Sequence, residues 1–119
     1  MKTCIFKATA LAVALASGTP ALADGFKPIL TEDAFRTQVV GKRLLHGEDH
    51  MTFRANGQLA GNFGGKRLKG GWAWRERYWC RTLTTHSKNT DCQTWETDGR
   101  TFRVKREFGK GGGFEYTLR

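Results

Sequence analysis

Proline is nearly absent from this chain of 119 residues: Pro20 and Pro28 are the only two, and none follows residue 28. Extended segments can therefore run without losing a backbone donor. Serine is as scarce after residue 17, where only Ser87 occurs. Its neighbour His86 is adjacent in sequence, which is not the spatial arrangement a nucleophilic triad needs. The three histidines and three cysteines include no two pairs at finger-like spacing, which disfavours a zinc finger. Strand-like and helix-like segments do not alternate, so a parallel sheet is not expected.

What the chain does have begins with residues 1–23. Lys2 and Lys7 precede an apolar run from Ala8 to Ala16. Ser17, Gly18 and Pro20 break that run, and Ala21-Leu22-Ala23 is a small-x-small cleavage pattern. The segment reads as a cleaved secretory signal, too short for a stop-transfer span. Residues 24–119 are then one periplasmic or secreted domain, with no transmembrane segment left after cleavage. Cys4 leaves with the signal. Cys80 and Cys92 remain as an even pair in an oxidising compartment and are expected to be bridged. A domain this small gains from such a staple.

Of the 20 basic residues only Lys2 and Lys7 lie in the signal, and all 11 acidic residues lie beyond it. The domain is therefore strongly basic. That charge fits a nucleic acid, an anionic lipid or a polyanionic glycan, and fits equally a solvated surface with no partner.

Gly25–Ile29 reads as an extended lead-in. Thr31 then suits an N-cap, with Glu32 and Asp33 in the first turn and Leu30 and Phe35 at staple positions. Phe35 and Val39 share a face and Gly41 suits the stop, so a short helix is predicted over 32–39. From Lys42 onward, short alternating runs are separated by turn residues. They are 42–46, a run around Met51 and Phe53, 58–63, 68–74, 77–84, 91–97, 101–108 and 114–118. Asn56-Gly57 and Asp98-Gly99 are hairpin signals. Gly61, Gly70 and Gly71 fall inside strands, where glycine marks bulges or sharp bends. The prediction is an all-β fold: about eight antiparallel strands in an up-and-down meander closing into a small barrel, with one short N-terminal helix.

The candidates for chemistry are few. Gly109-Lys110-Gly111-Gly112-Gly113 lacks the following helix and distant acid of a nucleotide fingerprint and reads as a hairpin loop. His46 and His50 flank Gly47-Glu48-Asp49 and are weak metal candidates, because the segment reads as a polar turn rather than a helix that would align them. No catalytic residue, metal or cofactor is assigned. The aromatic cluster Trp72, Trp74, Tyr78, Trp79 and Trp95 is interleaved with Lys69, Arg75, Arg77 and Arg81. It suits core filling, or stacking against a ligand if exposed. Trp72, Trp74, Arg77, Tyr78 and Arg81 are the candidate binding residues.

Several segments carry a family resemblance: Val40-Gly41-Lys42-Arg43-Leu44, Phe53-Arg54-Ala55-Asn56-Gly57, Gly71-Trp72-Ala73-Trp74, Arg77-Tyr78-Trp79-Cys80-Arg81 and Asp91-Cys92-Gln93. The chain resembles small exported alphaproteobacterial proteins whose genomes label them dihydrodipicolinate reductase. That label implies a two-domain, nicotinamide-dependent enzyme with a Gly-rich fingerprint and a His-His segment carrying a Lys. None of these stands in this sequence, so no catalytic residue carries over. The reading is a non-enzymatic periplasmic binding or accessory protein for an anionic or amphipathic ligand, with nucleic acid not the expected partner. The alternative is a protein-interaction module, such as a barrel-type protease inhibitor, that engages a periplasmic protein through a mobile segment 24–29.

Overall fold

The computed structural model describes residues 25–119. The expected signal segment and its cleavage lie outside them. Lys27–Ile29 forms β1 and Glu32–Val39 forms α1. The barrel strands follow: β2 Arg43–His46, β3 Asp49–Phe53, β4 Gln58–Phe63, β5 Lys66–Arg75, β6 Tyr78–Leu83, β7 Thr90–Thr97, β8 Thr101–Lys105 and β9 Gly113–Leu118. Each of these eight pairs antiparallel with the next, and β9 returns to β2 through Leu44↔Leu118 and Leu45↔Thr117, so the sheet closes. Closure removes the exposed sheet edges of an open meander. β1 lies outside the ring and pairs with Trp95, Glu96 and Thr97 of β7.

The helix occupies the predicted span. The Thr31 side chain accepts a hydrogen bond from the Ala34 amide at 3.2 Å, and Glu32 pairs with Arg36 one turn on at 2.8 Å. Leu30 stays 49 % exposed, so the burial of Phe35 comes from the barrel rather than from that staple position. Phe35 and Val39 have no exposed surface. The helix stoppers one end of the barrel with Phe35, whose ring centroid lies 5.3 Å from both Trp72 and Trp95 and 5.5–6.0 Å from Trp74, Phe53 and Trp79. Alternation along the strands turns Leu44, Met51, Phe53, Leu59, Leu68, Trp72, Trp79, Trp95, Phe102, Val104 and Tyr116 inward.

Two of the in-strand glycines mark where the wall bends most. A Cβ on Gly61 would strike the His50 carbonyl, and one on Gly70 would strike the Thr82 carbonyl. Neighbouring backbones approach too closely there for any side chain. Gly71, expected to behave alike, meets only the Gly57 carbonyl at 3.6 Å, an ordinary contact. Gly70→Ala should therefore cost about 1–3 kcal/mol in urea unfolding, and Gly71→Ala little. Equal losses would contradict this account of curvature.

The predicted last long strand is cut short. β8 ends at Lys105, and Glu107–Gly109 makes one helical turn in which Glu107 and Phe108 take φ of 52° and 58°. The alternation Phe102, Val104, Arg106, Phe108 gave no sign of that left-handed backbone. The lead-in also gains a definite place. Phe26 is 7 % and Ile29 2 % exposed, and the Arg103 guanidinium lies 3.7 Å above the Phe26 ring.

Candidate functional site

The β6 register places Trp79, Arg81 and Leu83 on the inner face, and the β7 register places Asp91, Gln93 and Trp95 there too. Cys80 and Cys92 sit directly opposite one another on the outer face. They form the expected disulfide, with Cα atoms 4.0 Å apart. The bridge thus clamps from outside the strand pair that presents Arg81 and Asp91 inside.

The helix closes one end. The other end holds a cavity of about 230 Å³. Its walls are apolar: Met51, Phe63, Leu68, Leu83 and Phe114. Trp79 lines it from the side of the helix-capped core. Its polar groups are Arg81, Gln93, Tyr116, Arg106 and the loop residues His86 and Ser87. This mixture of apolar wall and few polar groups is that of a small-ligand site, at a size below the drug-sized range.

Asp91 organises the polar side. One carboxylate oxygen accepts from the Glu107 amide at 3.0 Å. The other accepts from Gln93 Nε2 at 2.8 Å and lies 3.8 Å from the Arg81 guanidinium. The hydrogen bond to Asp91 fixes the Gln93 amide and leaves its Oε1, fully buried, without a partner among the described residues. The Trp79 Nε1 donor, and Trp95 Nε1 in the core, are likewise buried with no partner among the described residues. Arg81 donates to the Asn89 carbonyl at 3.4 Å. Burial lowers its pKa, Asp91 opposes that effect, and nearby Arg106 adds to it. The guanidinium nonetheless stays charged. Burial pushes the Tyr116 hydroxyl far above its ordinary range, so it stays a neutral hydrogen-bonding group.

Arg106 lies 5.0 Å over the Phe114 ring and has no carboxylate within ion-pair distance among the described residues. Asp91 is thus engaged by Arg81, and Asp49 at the rim accepts from the Gly64 amide at 2.9 Å, which leaves Arg106 as the cavity cation with no carboxylate within ion-pair distance among the described residues.

The rim is built from the segment read as a polar turn. Gly47-Glu48 joins β2 to β3. His46 lies on the inner face, where its ring stacks on Phe63 at 5.9 Å and its Nδ1 donates to the Glu115 carbonyl at 2.8 Å. His50 alternates to the outer face, so the two histidines cannot share an ion. His86 Nε2 donates to the Phe63 carbonyl at 3.0 Å, and its Nδ1 accepts from Thr85 Oγ1 at 2.9 Å. Neither nitrogen is left to activate Ser87. Among the described residues, no three His, Cys, Asp or Glu side chains converge as metal ligands.

The five candidate binding residues divide between three places. Trp72 and Trp74 point into the helix-capped end, with their indole N–H groups donating to the Arg54 and Glu76 carbonyls at 3.1 and 2.8 Å. Tyr78 is on the outside against Phe108, with Arg77 over its ring. Arg81 alone lines the cavity. Gln93, Arg106 and Tyr116 line the cavity beside Arg81 and are not among the sequence candidates. A charged or amide residue in an otherwise apolar inward series, as in Val104-x-Arg106 or Gln93-x-Trp95, is the signal that marks Gln93 and Arg106; Tyr116, in the series Phe114-x-Tyr116-x-Leu118, has no such mark.

No family model, curated protein or solved structure matches this chain. Among the described residues, no helix is long and apolar enough to cross a membrane.

Proposed function

We propose that the domain is a non-enzymatic, exported binding protein that holds a small amphipathic anion in the open end of its barrel. The observation that carries this reading is the cavity in which Arg106, outside any ion pair among the described residues, and the Asp91-paired Arg81 stand between apolar walls. A ligand carboxylate would bridge Arg81 and Arg106, a charge-assisted contact in a partly desolvated place. Its hydrocarbon or aromatic body would lie against Met51, Leu68 and Phe63. A polar group at the inner end would meet the free Trp79 Nε1 and Gln93 Oε1, whose burial without partners is otherwise unfavourable. The volume admits only a compact molecule.

Intrinsic tryptophan fluorescence, to which Trp79 contributes from the cavity wall, supplies the test, with hexanoate and phenylacetate as probes and the matched alcohols beside them. The acids should bind at least tenfold tighter than the alcohols. Arg106→Gln, an exposed residue outside any ion pair, should weaken the acids by about tenfold, roughly 1.4 kcal/mol, and leave the alcohols unchanged. Arg81→Gln should do the same or more. Equal affinity for acid and alcohol would remove the anion from the proposal. If no probe binds, and native mass spectrometry of protein isolated from periplasm finds no retained mass, the binding reading falls.

A further inference from the structure

The barrel is electrically lopsided on its outside. The outward positions of β2–β5 carry no aspartate or glutamate. They carry Arg43, Arg67, Lys69 and Arg75, with Lys42 and Lys66 at adjoining turns, against the exposed Glu48 and Glu76 of the β2–β3 and β5–β6 turns. None of these six cations has a carboxylate within ion-pair distance among the described residues. On the far side, Arg103 of β8 lies between Glu96 of β7 and Glu115 of β9, at 3.7 and 3.2 Å. Outer-surface charge is therefore neutralised across β7–β9 and left open across β2–β5.

We propose that the β2–β5 face docks on a bilayer surface rich in anionic phospholipid. The register sets the shape of the patch. Lys69, Ala60, Thr52 and Arg43 form one row across the four strands. At sheet spacing its two cations stand about 14 Å apart, with only short side chains between them. Along β5, Arg67 and Arg75 stand about 26 Å apart at strand rise. Because the eight strands close into a ring, the part of this face that meets a plane is centred on the long strand β5, whose Arg67, Lys69 and Arg75 project from one line, with Arg43 at its flank. Each Lys or Arg near such a surface adds to the attraction, which salt screens. A single-stranded nucleic acid would want aromatic platforms. This face presents none: among the described residues, the large exposed apolar side chains are Leu30 and Phe108, both elsewhere. The inference is independent of the cavity.

Co-sedimentation with vesicles decides it, using 30 % phosphatidylglycerol in phosphatidylcholine against phosphatidylcholine alone, at about 50 and 300 mM salt. The protein should partition only onto the anionic vesicles and lose at least tenfold at the higher salt. Arg67→Glu with Lys69→Glu should reduce partitioning at least tenfold. Arg100→Glu with Lys105→Glu makes the same change in net charge on the other side and should retain binding within about threefold. If the first pair fails to fold by near-ultraviolet circular dichroism, Arg67→Gln with Lys69→Gln replaces it. Equal losses from both pairs would reduce the effect to net charge and overturn the assignment. So would indifference to anionic vesicles, including the case in which an oligonucleotide binds the same face instead.

Discussion

Phe35→Ala should cost about 3–5 kcal/mol, the range for emptying a fully buried aromatic site. Small domains have only about 5–15 kcal/mol in total, so the variant should lie close to unfolding at room temperature. The argument rests on position more than size. Among the described residues, Phe35 is the one ring that touches Phe53, Trp72, Trp74, Trp79 and Trp95 together. Those residues come from β3, β5, β6 and β7, so the ring is the common contact of four strands. Removing it leaves a void that rigid indoles cannot fill by small shifts. Leu30→Ala, at a residue 49 % exposed, is the matched control and should cost well under 1 kcal/mol. Urea unfolding of the two variants measures both. Similar losses would mean that α1 lies on the barrel without being part of its core.

Replacing both Cys80 and Cys92 by alanine should cost roughly 3 kcal/mol on the loop-closure estimate for residues twelve apart. The stability loss is the lesser interest. The Cys80–Cys92 pair is flanked on the inner face by Arg81↔Asp91 on one side and Trp79↔Gln93 on the other. If the bridge helps hold that register, probe acids should bind more weakly to the bridge-less variant even at temperatures where it is fully folded. The loss should resemble that of Arg106→Gln in sparing the alcohols. Unchanged acid affinity in a folded double variant would confine the bridge to stability. Reduction of the wild-type protein should reproduce the variant, with free thiols counted to confirm the state.

The barrel was readable because its physical determinants are local. Alternation of apolar residues gives each strand its inner face, and Asn56-Gly57 and Asp98-Gly99 supply turns. Asp98 shows the mechanism: its carboxylate accepts the amides of Arg100 and Thr101 at 2.9 and 2.7 Å, and these bonds lower its pKa. Helix bounds were legible for the same reason, through Thr31 and Gly41. The outer strand β1 was not, because its pairing partner Trp95 lies far along the chain and β7 offers an edge only where β6 ends. The turn at Glu107 and Phe108 was hidden by residues that rarely adopt its backbone. The cavity was half legible. Arg81 stood out among aromatics, yet Trp72 and Tyr78 beside it in sequence go to the closed end and the outer wall. Arg106 and Tyr116 reach it through the β7–β8 and β8–β9 pairings, which set Lys105 opposite Thr94 and Tyr116 opposite Phe102.

Closure of the sheet also governs how the domain reaches its native state. Leu44 and Leu45 must find Leu118 and Thr117, from the opposite end of the ring of strands. The hairpins from β3 to β8 can zip locally, each extending the last, and the seam between β2 and β9 carries the longest loop-closure cost. Until that seam forms, two unpaired strands stand open to other chains. Refolding should therefore be slow for a domain of this size, and losses in refolding yield should grow with protein concentration.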